Sequence, residues 1–284
     1  MKKLKSSSPV LFFTKFPKLF LGGILFSIPF AIFSGLFLLI GYLTGFNNII
    51  VGGLGIIPSA MFYSGLVMVI RKISVEKKDI NVIETFFTAV KENYKKSLIN
   101  GVIAYAITAC SFFAILYYSS LADENVVFGA VLMLYIIFTV CMVIMMFYVP
   151  LLTITYELKI KDIYKNSLLL IVGKILRNII TLFLVALVSA VAFLGIIFAE
   201  GVFLYLVIGL IILLYPVVAA YIINSVIAKG VQESVGYFTG DNVNYYLTEE
   251  EQEKQDKAVE NADSNSDYIF VNGKMIKNPA KSKE

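Results

Sequence analysis

The sequence predicts an all-α integral membrane protein with six transmembrane helices paired as three antiparallel hairpins. Basic amphipathic interfacial helices and a disordered polar C-terminal tail complete the predicted architecture. Three observations carry that expectation. The chain of 284 residues is 58% hydrophobic and only 15% charged, with a mean hydropathy of +0.82, whereas soluble domains are about half apolar. Its charges stand in a few blocks instead of being spread along the chain. Between the blocks lie six uncharged apolar stretches of about 20 residues or more, enough to cross a hydrocarbon core of about 30 Å at 1.5 Å per residue.

The stretches run over 19–43, 49–70, 98–121, 126–154, 179–199 and 202–228. The fourth and sixth are long, which predicts tilt, kinks or extension into the interface. The chain opens Met1-Lys2-Lys3-Leu4-Lys5, as a signal peptide would. The apolar stretch that follows is far longer than a signal core and has no small-x-small cleavage site after it, so it reads as a retained first span.

The charges between spans set the orientation. Lys2, Lys3, Lys5, Lys15 and Lys18 precede the first span. Seven basic residues from Arg71 to Lys96 separate the second and third, and Lys159, Lys161, Lys165, Lys174 and Arg177 separate the fourth and fifth. The short connections 45–48, 122–125 and 200–201 hold no basic residue and carry Asp123, Glu124 and Glu200. This strict alternation places the N-terminus, both long loops and the C-terminus in the cytoplasm by the positive-inside rule. The short connections make hairpins of spans 1–2, 3–4 and 5–6.

Each hairpin is preceded by a basic, amphipathic lead-in, at 10–18, 83–96 and 164–177. Their spacing of roughly 75–85 residues suggests a unit used three times. In the second, Ile83, Phe86, Phe87, Val90 and Tyr94 follow one helix face, while Glu84, Lys91, Glu92 and Lys95 fall mostly opposite. Such a helix lies in the interfacial plane, with its aromatics in the acyl boundary and its lysines among headgroups. Phe86, Phe87, Lys91, Tyr94, Lys95 and Lys96 are therefore the candidate contacts for lipid headgroups or a partner protein.

The domain boundary falls at Lys229. Residues 1–228 form the membrane domain with a balance of +8, and residues 229–284 form a cytoplasmic tail of −4. The basic balance of the first part flanks apolar spans, which points to anionic headgroups and not to nucleic acid. Within the tail, 248–267 is polar with scarcely any apolar residue, the composition of disorder, and 249–255 could form a short helix. At 268–277, a β-branched and aromatic run, Asn272-Gly273 and a second short run make a hairpin signature.

Catalytic and metal chemistry find no support. The chain has no histidine, and its two cysteines, Cys110 and Cys141, lie inside apolar stretches without metal-ligand spacing. Its acids sit in loops and ends. Intramembrane Ser27, Ser34, Ser59, Ser64, Asn100, Ser189 and Asn224 have no base or acid beside them in sequence, and hydrogen bonding between helices accounts for them. No catalytic, cofactor-binding or metal-binding residue is assigned, and no cofactor is expected. No ionisable side chain stands within a span, which weakens an ion-coupled transport reading without touching uncharged solutes. Pro29, Pro58, Pro150 and Pro216 interrupt four spans; broken helices can line a mid-membrane site, although prolines are also tolerated where neighbours satisfy the freed carbonyls.

The segment Leu54-Gly55-Ile56-Ile57-Pro58-Ser59-Ala60-Met61-Phe62-Tyr63, ending at Arg71-Lys72, is followed by Phe86-Phe87-Thr88-Ala89-Val90-Lys91-Glu92-Asn93-Tyr94-Lys95-Lys96. Together these resemble the YesL-like family of small bacterial membrane proteins, well over the first half of the chain and mainly through topology beyond it. The tail with its Asn-Gly hairpin goes beyond the family pattern. The resemblance implies a plasma-membrane protein associated with carbohydrate uptake or utilisation, and it brings no catalytic residues. The leading expectation is a non-enzymatic accessory or regulatory membrane protein, with the tail offered to a cytoplasmic or membrane partner. The alternative is a transporter for a neutral small solute.

Overall fold

The computed structural model describes residues 8–46, 48–123, 125–239, 268–271 and 274–277. Among them, six helices are long and apolar enough to cross a membrane, and each overlaps one of the six predicted stretches, the second only from Ile56 onward. The fold is that of an all-α, multi-pass membrane protein.

The first hairpin opens with α1 (Ser8–Thr14), a break at Lys15, and α2 (Phe16–Thr44). Gly45 stops α2 at φ 78°, its N–H bonding the Tyr42 carbonyl, a left-handed cap that costs glycine no Cβ clash. The Asn48 side chain then accepts the Ile50 N–H at 3.1 Å and starts α3 (Ile49–Gly53), which is followed by α4 (Ile56–Ser74). The second apolar stretch is thus two helices, separated at Leu54-Gly55. The second hairpin is α5 (Val82–Ala122) and α6 (Val126–Thr155). The third is α7 (Ile160–Gly173), α8 (Ile175–Phe198) and α9 (Gly201–Thr239).

The three lead-ins do not fold alike. α1 and α7 are separate helices, each joined to its span at a lysine, Lys15 or Lys174. The second lead-in instead continues without a break into its span. The resulting α5 has 41 residues, about 62 Å at 1.5 Å per residue and about twice the hydrocarbon thickness. It is therefore not a separate helix laid flat at the interface. Its hidden stripe is Val82, Phe86, Ala89, Ser97 and Asn100, one step round from the stripe read in the sequence. The composition change at Lys229 also falls inside a helix, since α9 runs on to Thr239 with Ile227, Ala228 and Val231 buried.

Burial is lopsided along the bundle. One core joins Leu19 and Phe26 of α2 to Leu66, Val69, Ile70 and Ile73 of α4, with Phe86 of α5 and Val217, Ala220 and Tyr221 of α9. A second joins Tyr148, Val149 and Leu152 of α6 to Ile163 and Leu170 of α7 and to Ile223 and Ile227 of α9. Both lie toward the end that carries the lysines and arginines. At the other end, no described residue of α6 before Ile144, of α8 between Thr181 and Ala199, or of α9 before Val217 is buried. Apolar side chains there face outward, as lipid-facing surfaces do.

The strands β1 (Tyr268–Val271) and β2 (Lys274–Lys277) pair antiparallel, with Tyr268 opposite Lys277 and Val271 opposite Lys274. The disorder expected over 248–267 and the short helix at 249–255 lie outside the described residues.

Candidate functional site

Where the two cores meet the loosely packed end, the helices leave a cavity of about 370 Å³. Every span lines it: α2 through Phe26 and Phe30, α4 through Ser59, Tyr63 and Ser64, and α5 through Ser97 and Asn100. Phe147 and Pro150 of α6, Val185 of α8, and Tyr215 and Ala219 of α9 complete the lining. The walls are mainly apolar and aromatic, with a few hydroxyls and one amide. No carboxylate, amine or guanidinium lines it among the described residues.

The sequence makes this space with glycine and proline. At Gly101 of α5 an added Cβ would lie 2.7 Å from the Ile57 carbonyl oxygen, so glycine lets α5 lie directly against α4. Of the four prolines, Pro150 lines the cavity, and Pro29, Pro58 and Pro216 are next in sequence to its lining residues Phe30, Ser59 and Tyr215. They are not breaks, however: Pro29, Pro150 and Pro216 sit inside continuous helices. Pro58 occupies the first turn of α4, where an N–H needs no helical partner; the one interruption is at Leu54-Gly55 beside it.

Proline's missing N–H frees the carbonyl four residues back, and at Pro216 the bundle answers this from another helix. The Ser27 hydroxyl of α2, itself 1% exposed, donates to the Ile212 carbonyl at 2.7 Å. A kink-prone position in α9 is thereby bonded to α2 beside the cavity.

Asn100 ties the wall together. Its amide donates to the Thr153 hydroxyl of α6 at 3.0 Å and its carbonyl accepts from the Tyr164 hydroxyl of α7 at 3.1 Å. Burial pushes the Tyr164 hydroxyl up to about 12, so it stays a proton donor. Asn178 does the same work at the α7–α8 joint. It accepts from Tyr148 at 2.6 Å and donates to the Leu170 and Ile171 carbonyls at 3.1 and 2.8 Å. The basic end is closed by Arg71 and Glu76, paired at 3.3 Å with side chains 8% and 9% exposed. Outside them, Lys15 and Lys18 both reach Asp79, at 3.0 and 2.7 Å. Those hydrogen bonds, Lys18 first, hold the Asp79 carboxyl down at about 2.

The lead-in residues singled out in the sequence take no part in the cavity. Phe86 is fully buried, its ring over Gly65 of α4, where a Cβ would come within 2.8 Å of it; it is a packing residue and not an interfacial one. Phe87, Lys91, Tyr94 and Lys95 are exposed and Lys96 is half-buried, with the Lys95 ammonium 5.8 Å from the Tyr94 ring centre. Sequence reasoning grouped Ser59, Ser64 and Asn100 with ordinary packing polars and passed over Tyr63, Ser97 and Tyr215. Two of these could have been found, because Ser59 and Tyr215 stand next to a proline.

A family model described as a protein of unknown function, DUF624, matches residues 30–117. Neither a curated protein nor a solved structure matches the chain. The matched segment runs from the middle of α2 through most of α5. It holds Ser59, Tyr63, Ser64, Ser97 and Asn100, most of the polar wall of the cavity.

Proposed function

We propose that this chain is a non-enzymatic membrane carrier that takes an uncharged small solute into the cavity where its six spans meet, with its basic helix ends in the cytoplasm. One observation carries the reading: all six spans line a volume of about 370 Å³, within the usual range for small-molecule sites, with no charged lining residue among the described residues. Leaving a charged solute there unpaired would cost several kcal/mol, whereas a neutral one meets hydroxyls, an amide and aromatic faces. The lopsided burial suits a carrier closed on its basic side and loosely packed on the other. The resemblance to YesL-like proteins and the DUF624 match rest on the same segment and are in keeping with a plasma-membrane location.

The test is release from liposomes holding the purified full chain. They are loaded with radiolabelled glycerol or, separately, with a neutral N-acetyl amino-acid amide. At least one solute leaves faster than from protein-free vesicles, and Ala60→Trp, which fills the cavity, returns the rate to background. Background rates for both solutes would overturn the carrier reading. A second role, as an accessory to another membrane protein, is favoured by the exposed Phe87, Lys91, Tyr94 and Lys95 face; co-purification of a partner lost in a Phe87→Ser/Tyr94→Ser variant would support it.

A further inference from the structure

The hydrogen bonds already made around the cavity decide what kind of group it can accept. The Ser59 hydroxyl donates its proton to the Gly55 carbonyl at 2.6 Å, and the Ser64 hydroxyl to the Met61 carbonyl at 2.5 Å. Each hydroxyl has one proton and two lone pairs, so both serines face the cavity as acceptors only. Asn100 has its carbonyl engaged by Tyr164 and one amide proton by Thr153; its second amide proton is the one fixed donor set against the two acceptor serines. The Tyr215 and Ser189 hydroxyls, 2.9 Å apart, bond each other. The hydroxyls of Tyr63 and Ser97 can donate or accept and impose no sign.

We infer that the cavity selects an uncharged ligand that donates hydrogen bonds, an alcohol or N–H compound with an apolar body, and that Ser59 and Ser64 are its acceptors. The inference rests on the solute-cavity reading above and narrows it. A ligand of the same shape that only accepts brings lone pairs against the lone pairs of two buried serine oxygens. A donor ligand satisfies them, and discrimination is strong when a buried polar group is left unpaired by the wrong ligand. An organic cation would also donate or meet aromatic faces, but no acid in the lining compensates its charge.

The experiment compares two probes of nearly equal shape, 2-naphthol and its methyl ether 2-methoxynaphthalene. Binding to the purified full chain in detergent is measured by probe fluorescence at neutral pH, in wild type, Ala60→Trp and Ser59→Ala/Ser64→Ala. Naphthol binds about tenfold tighter than the ether, the scale of one to two hydrogen bonds. The double alanine variant loses that preference while still binding both probes, and Ala60→Trp abolishes saturable binding. Equal affinity of the two probes in wild type, abolished by Ala60→Trp, would overturn the donor inference and leave the cavity reading standing. A preference that survives Ser59→Ala/Ser64→Ala would overturn the assignment of the serines. Absence of saturable binding, or binding indifferent to Ala60→Trp, would overturn both readings.

Discussion

Ser27 and Pro216 are expected to be energetically coupled although they lie on different spans. Pro216 withholds the N–H that the Ile212 carbonyl would receive in an unbroken helix, and the Ser27 hydroxyl supplies the replacement at 2.7 Å. Ser27→Ala therefore strands a half-buried carbonyl within a membrane span as well as deleting a hydroxyl, at a cost of about 1–3 kcal/mol. In a Pro216→Ala background the residue at 216 bonds Ile212 itself, and Ser27→Ala removes a hydroxyl that is no longer needed. The cost there falls to about 0.6 kcal/mol or less, the average for a side-chain hydrogen bond inside a membrane protein.

The four proteins of this cycle, unfolded in detergent with a denaturing co-detergent, should give a coupling energy of about 1–2 kcal/mol. The sign is fixed by the argument: Pro216→Ala must protect against Ser27→Ala. Equal costs of Ser27→Ala in both backgrounds would refute the claim that the serine stands in for the proline's missing donor.

Four further outcomes follow from the same geometry. Arg71→Ala leaves Glu76 buried with only Lys78 at 3.4 Å and should cost about 3–5 kcal/mol of unfolding stability, whereas replacing both partners by leucine costs much less. Gly101→Ala drives a Cβ to 2.7 Å from the Ile57 carbonyl oxygen and should lower stability by about 1–3 kcal/mol in the same assay. Asn100→Leu breaks its bonds to Thr153 and Tyr164, for about 1–3 kcal/mol, and Tyr164→Phe made in that background should cost almost nothing more. Asp79, held at about 2 against an ordinary 3.8, adds its stabilisation fully above pH about 4 and loses it as the pH falls through about 2. A carbon-13 titration of its carboxyl should show a midpoint near that lower value, moving up toward the ordinary one in Lys15→Ala/Lys18→Ala.

The spans were legible because lipid imposes a one-letter rule on them: no water, hence no charge, over about 20 residues. Packing inside the bundle obeys no such rule. Phe86 and Phe87 are adjacent and chemically identical, yet one is fully buried and the other half exposed. What separates them is Gly65, twenty-one positions earlier on another helix, and no periodicity within 83–96 carries that information. The same holds for the split at Leu54-Gly55. Hydropathy runs on through it, and only the cluster of Gly52, Gly53, Gly55 and Pro58 marks the place.

The prolines show most directly how a site is hidden in such a sequence. Each was visible as an anomaly within an apolar stretch, either a break lining a site or a residue its neighbours tolerate. Pro29, Pro150 and Pro216 leave their helices continuous, because a transmembrane helix loses one hydrogen bond at proline and keeps the rest. The cost reappears as a demand on the neighbouring helix, met at Pro216 by Ser27. A carbonyl that must be served from outside its own helix fixes where two spans approach. At Pro216 that helix is α2, whose Ser27 adjoins the lining residue Phe26 in sequence. Of the two alternatives weighed for the prolines, wall of a site holds for Pro150, whose own ring lines the cavity, while Pro216 is tolerated because Ser27 serves its freed carbonyl.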